Sequence, residues 1–105
     1  MRPTNSTKAT KHDRYVQELC KKVRGSYDYL ILDYEVGRNK RKLGQVDLCG
    51  VRKDRIDLFE VKCSFRKHKA IKQLIHAKRL MKTKGDLFFY CGSSGKTEEV
   101  TAEME

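Results

Sequence analysis

Three ionisable residues interrupt apolar, strand-like runs in residues 44–64, GQVDLCGVRKDRIDLFEVKCS: Asp47 in the first run, Glu60 and Lys62 in the second. Between the runs lies a charged turn, Arg52-Lys53-Asp54-Arg55. Side chains alternate faces along a strand, so Glu60 and Lys62, two apart, share a face. A turn centred on Lys53–Asp54 sets Asp47 directly opposite Glu60, with Cβ atoms about 4.5–5.5 Å apart. Two facing carboxylates repel unless a cation lies between them. Mg²⁺ or Mn²⁺, held by one or two carboxylates plus phosphate oxygens and water, meets that need. The lysine ammonium can then hold a phosphate oxygen, help position an attacking water and stabilise developing negative charge. The competing structural reading is a cross-strand Lys–Glu pair with Asp47 in an exposed turn. The apolar neighbours of the acid in DLFEVK weigh against it, because buried charge without a purpose is costly.

The chain that must position these groups has 105 residues, enough for one domain with a single core. It is 38% hydrophobic with a mean hydropathy of −0.75. No apolar run approaches a membrane span and the N-terminus lacks the apolar core of a signal peptide, so an intracellular protein, cytoplasmic or nucleoid-associated, is expected. The formal charge is +10 and unevenly spread: all 24 Lys and Arg lie at or before Lys96, while Glu98, Glu99, Glu103 and Glu105 follow it. Such an excess points to a polyanion, nucleic acid first, without implying sequence specificity. Cys20, Cys49, Cys63 and Cys91 are scattered with no C-x-x-C pair. They read as small core residues of a reduced protein and not as a zinc site.

In chain order, residues 1–10 form a polar, basic, flexible arm. A helix starts with Thr10 as N-cap and runs to Arg24, burying Tyr15, Val16, Leu19, Cys20 and Val23. At about 100° per residue, His12 projects near the middle of that face, Asp13 lies at its edge and Glu18 points away as a partner for Lys21 or Lys22. Residues 28–36 read as the first strand. Tyr27, Tyr29 and Tyr34 there are either half-buried packing or rings presented to bases. The loop that follows carries Arg38, Lys40, Arg41 and Lys42, suited to phosphate-backbone contact beside the Asp47 strand. From Lys67 to Lys82 the period becomes helical, with Arg66, Lys67, Lys69 and Lys72 available to DNA near the site. Lys84-Gly85 is expected to close that helix with a left-handed glycine. Residues 86–91 read as a buried fourth strand. The polar, acidic residues 93–105 form a tail that can be a short helix, a last strand or disordered, leaving 11–92 as the domain proper.

Asp47 followed by Glu60-Val61-Lys62 resembles the D…E-x-K signature of the PD-(D/E)XK (restriction-endonuclease-like) nuclease superfamily. The flanking elements resemble that superfamily's α-β-β-β-α-β core, a mixed sheet flanked by helices, over most of the chain. The nearest similarity is to archaeal Holliday-junction resolvases and small RecB-like nucleases. The GQVDL run is also similar to the GEIDL of YraN-like proteins, with Gln45 at the glutamate position and Val46 where the superfamily's name has proline. The resemblance implies Mg²⁺ or Mn²⁺ held by Asp47, Glu60 and the Val61 carbonyl, with a further ligand from the first helix. His12 is first choice for that ligand, as in RecB-like proteins, then Asp13, then Glu18. Gln73 resembles the helix glutamine of a Q-x-x-x-Y pattern, although Ala77 stands at the tyrosine position.

The function so implied is a metal-dependent endonuclease cutting DNA to leave a 5′-phosphate. A chain this small has no room for an added specificity domain, which favours cutting by structure: a four-way junction, a flap or a single strand. The resolvase resemblance further implies a homodimer and a role in repair or recombination. Two alternatives stand beside it. One is a nucleic-acid-binding module with a nuclease-like fold that is inactive on its own. The other is an RNA endonuclease on the same fold.

Overall fold

The first helix, α1 (Lys11–Val23), begins at the expected cap. Thr10 Oγ1 accepts the Asp13 N–H at 3.0 Å while the Asp13 carboxylate accepts the Thr10 N–H at 3.1 Å, satisfying two first-turn donors reciprocally. Hydrogen bonding to that carboxylate from the Thr10 backbone foremost, and from the Thr10 side chain, holds the Asp13 carboxyl below its ordinary range. The helix buries Val16 and Leu19, then tightens into a 3-10 turn, Arg24–Ser26. This computed structural model describes residues 9–38 and 41–101, without the Arg38 side chain. Most of the expected arm, Lys40 and the last four residues lie outside the described residues.

Five strands follow: β1 (Tyr29–Arg38), β2 (Arg41–Arg52), β3 (Arg55–Lys62), β4 (Leu87–Cys91) and β5 (Lys96–Val100). They form one sheet in the order β1-β2-β3-β4-β5. All neighbours are antiparallel except β3 and β4, which are parallel and joined by helix α2 (Lys67–Met81). A parallel pair cannot be closed by a tight hairpin, so a helical crossover is the economical connection. The β2–β3 hairpin is symmetric about Lys53–Asp54, with Arg52 opposite Arg55 and Lys53 at φ 40°.

Both faces of the sheet are covered. On one, Ala70, Ile71, Leu74 and Ile75 of α2 pack with Val46, Leu58 and Phe89. On the other, Val16 and Leu19 of α1 pack with Leu48, Phe59, Val61 and Tyr90. The result is a single α/β domain, a mixed five-stranded sheet with one helix on each face. Of the three endings left open for the acidic stretch, a last strand is found: β5 extends the sheet and buries Val100.

The end of α2 differs from expectation. Lys82, not Gly85, takes the left-handed cap (φ 52°), its N–H returning to the Lys78 carbonyl at 2.9 Å. Gly85 has its own reason to be glycine. The Ile56 N–H donates to Lys84 O at 2.7 Å, drawing this stretch so close to β3 that a Cβ on Gly85 would collide with the Ile56 carbonyl. Its φ of 144° is also one that side chains disfavour.

Candidate active site at the parting of two strands

The β2–β3 ladder runs from Arg52↔Arg55 to Leu48↔Phe59, and Asp47 and Glu60 stand one step beyond its last pair. There a carboxylate substitutes for the missing backbone partner: Asp47 Oδ2 accepts the Val61 N–H at 2.8 Å. Glu60 turns instead to Lys62, with Oε2 at 3.4 Å from Nζ. The two acids remain electrostatic neighbours. Burial first, then the negative charge of Asp47, push the Glu60 carboxyl up from 4.5 to about 8, against the opposing pull of Lys62.

Helix α1 brings His12 to this point. Its Nε2 lies 3.0 Å from the Val61 carbonyl and 3.3 Å from Asp47 Oδ2. Both partners are acceptors, so Nε2 carries the proton and donates to them. The site opens toward this ring: side-chain exposure rises from 6% at Glu60 through 14% at Asp47 and 18% at Lys62 to 40% at His12. A cavity of about 410 Å³ adjoins it, lined in part by His12, Asp13, Asp33 and Asp47.

Among the described residues, no three His, Cys, Asp or Glu side chains are arranged to hold a metal on their own. The donors that converge are two side chains, His12 and Asp47, and the Val61 carbonyl, with Glu60 held back by Lys62. Their spacing nonetheless suits a small hard ion. Adjacent ligands of an octahedral Mg²⁺, with bonds of about 2.1 Å, lie about 3.0 Å apart. The His12–Val61 and His12–Asp47 separations match such edges. The donor chemistry therefore fits Mg²⁺ or Mn²⁺ with water completing the shell, provided His12 Nε2 gives up its proton.

The other helix candidates are engaged elsewhere. Asp13 is committed to the Thr10 cap, and Glu18 accepts the Tyr90 hydroxyl at 3.3 Å in place of the expected lysines. Of the basic residues, Arg41 and Lys42 are exposed at the start of β2, Lys42 donating to Gln45 Oε1 at 2.8 Å. Arg66, Lys69 and Lys72 are exposed at the start of α2, whereas Lys67 is paired to Glu98 at 2.6 Å. His76 Nε2 donates to Leu43 O at 3.0 Å and fixes the β2 start against α2. The two basic groups therefore lie roughly 10 Å apart along that helix. Gln73 is half-buried and its Oε1 has no hydrogen-bond partner among the described residues.

Two features escape the sequence reading. Asp33 adopts a left-handed backbone (φ 55°), rare outside glycine though less so for Asp, and accepts a hydrogen bond from Gln45 Nε2 at the cavity. A chain Lys42–Gln45–Asp33 thus borders the site. Asp57 is a second buried carboxylate, 2% exposed. It accepts from Tyr27 Oη at 2.6 Å and the Asp86 N–H at 2.7 Å, with Arg55 at 3.4 Å, and ties β3 to the start of β4. Burial, then that bond to Asp57, raises the Tyr27 phenol above its ordinary range. The signal for Asp57 was an acid inside an apolar run, RIDLF; Asp33 also interrupts one, DYLILDYEV, but its meeting with Gln45 has no such signal.

Among the described residues no helix is long and apolar enough to cross a membrane. No family model matches the chain, and no curated protein matches it.

Proposed function

We propose that this chain is a metal-dependent endonuclease of restriction-endonuclease-like fold that hydrolyses DNA phosphodiester bonds and selects its substrate by shape. The observation that carries the reading is the convergence, where β2 and β3 part, of Asp47, the Val61 carbonyl and His12 beside the buried Glu60–Lys62 pair. His12, Asp47 and the Val61 carbonyl would hold Mg²⁺ or Mn²⁺, with Glu60 joining once it releases its proton. Bound there, the ion would supply Lewis-acid polarisation of the phosphate and a more acidic water.

The chain's own residues do the rest. Lys62, 3.4 Å from Glu60, is placed to hold a non-bridging phosphate oxygen and stabilise the charge that develops on it. Low exposure at Glu60 and Lys62 strengthens these charge interactions. Arg41, Lys42, Arg66, Lys69 and Lys72 would hold the backbone on either side without reading bases. A homodimer with paired sites would make the two cuts that a four-way junction requires. A reduced intracellular setting, in DNA repair or recombination, suits the four free cysteines.

The test is to incubate the protein with labelled single-stranded, duplex, flap and four-way-junction DNA and a structured RNA, in Mg²⁺, Mn²⁺ or EDTA. Cleavage should require metal and vanish in Glu60→Ala and Lys62→Ala. Preferential cutting of RNA would favour the ribonuclease alternative. The tie of Glu60 to Lys62 at 3.4 Å, which holds that acid apart from the His12–Asp47 donors, supports a second reading, a binding module with this fold. Tight binding without cleavage in any metal would select it.

A further inference from the structure

We propose that Phe65 is a stacking platform for an unpaired base of single-stranded DNA, an inference that rests on the nuclease reading for the kind of ligand. Phe65 is 61% exposed, more than any other large hydrophobic residue so described, and lies three residues beyond Lys62 in the connection to α2. An isolated exposed apolar residue is ordinary. This one is held in place and set beside the site.

The Phe65 ring stands at 70° to Phe89 with centroids 5.5 Å apart, so one side is fixed by an edge contact. Phe89 in turn pairs with Glu60 across the parallel β3–β4 ladder. The ring is therefore one packed side chain away from the strand position of the buried acid. Lys67 Nζ lies 6.0 Å from its centroid, and Arg66 and Lys69 are exposed on either side of that lysine. A phenyl ring has no polar atom for water to satisfy, and the stretch that carries it is cationic: Lys67, beside the ring, is paired with Glu98, while Arg66 and Lys69 are exposed. A nucleotide offers both complements, a π-face for the ring and a phosphate for the lysines and arginine. In a continuous duplex the base faces are covered by their neighbours, so the platform selects a single strand over a duplex.

The experiment measures fluorescence anisotropy of a labelled 20-mer, as single strand and as blunt duplex, in EDTA. Wild type, Phe65→Ala, Phe65→Leu and Phe65→Trp are compared, with thermal melts confirming that each variant folds. Phe65→Ala should weaken single-strand binding by about 5- to 150-fold, the range for losing one base–aromatic stack, and duplex binding by less than about 2-fold. Phe65→Trp should retain single-strand affinity, and Phe65→Leu, apolar without a π-face, should not. No loss, equal loss on both forms, or retention by Leu would overturn the platform. Tighter Phe65-dependent binding of a single-stranded RNA of the same sequence would overturn the assignment to DNA. Cleavage in Mg²⁺, read separately with Glu60→Ala, keeps the two ideas apart. Phe65-dependent binding with no cleavage sinks the nuclease alone, and metal-dependent cleavage with no effect of Phe65 variants sinks the platform alone.

Discussion

Glu60 is the residue at which burial and chemistry compete most directly. Burial, foremost, and the neighbouring Asp47 disfavour its charge, and together they outweigh Lys62, which favours it. Without metal the carboxyl titrates near 8 in the folded chain and near 4.5 unfolded. Below the lower value both states hold the proton. Between the two, only the folded state does, so stability falls as pH rises from about 4.5 to 8 and levels off above. The full effect is bounded by about 5 kcal/mol. Melting in EDTA should therefore show Glu60→Gln more stable than wild type at pH 8.5 and little different at pH 4.5. A constant difference across that range would refute the assignment. Divalent ions replace the proton, so Mg²⁺ binding should tighten with rising pH over the same window, and that dependence should weaken in Glu60→Gln, where the His12 ligand alone still competes with protons. Asp47, Glu60 and Lys62 were legible because charge inside a two-residue alternation is conspicuous. The His12 placement was legible because helical periodicity carries direction as well as type. Asp33 and Gln45 were not, since their meeting depends on a left-handed backbone at Asp33 that no pattern announces.

At the scale of elements, the two helices start in opposite ways. The Thr10 cap of α1 satisfies its first turn and thereby sets the angle at which His12 meets Asp47 and Val61. Thr10→Ala should lower stability by about 1 kcal/mol and also weaken metal binding, whereas an exposed change such as Lys21→Ala should do neither. Calorimetry and a Mn²⁺ titration separate the two effects. Helix α2 has no such cap: Arg66 occupies the position without a side-chain bond, and no acid lies in the first turn. Cations there oppose the helix dipole, a cost tolerated where phosphate is to be bound. Arg66→Asp should raise stability by about 1 kcal/mol while weakening DNA binding by a factor of several. Loss of stability, or unchanged binding, would contradict this account. The hairpin register followed from the symmetric turn at Lys53–Asp54, but not its termination at Leu48↔Phe59. Ladder ends are set by where a side chain outcompetes the backbone, as Asp47 does for the Val61 N–H.

Across the whole molecule, the charge segregation is bridged among the described residues by the ion pair from Lys67 to Glu98 at 2.6 Å. Composition announced that the charges were segregated but not that the acidic stretch is a strand of the sheet. An edge strand reading KTEEV has weak local preference, and its pairing with β4 and the burial of Val100 secure it. Removing the stretch to test its charge would therefore remove structure as well, and a point substitution is the cleaner probe. Glu98→Gln keeps the shape and releases Lys67. If the acid competes with nucleic acid for that lysine, the variant gains about one phosphate contact. Affinity for a single strand should rise at low salt, and the slope of log affinity against log salt should steepen by about 0.7. Lys67→Gln should weaken binding and flatten the slope, and the double variant should behave as Lys67→Gln alone, because the glutamate acts through the lysine. A gain from Glu98→Gln that persists in the Lys67→Gln background would instead mean that Glu98 repels DNA through the general field of the surface. The pair would then be a stabilising clasp between β5 and α2, with no part in how the protein meets its substrate.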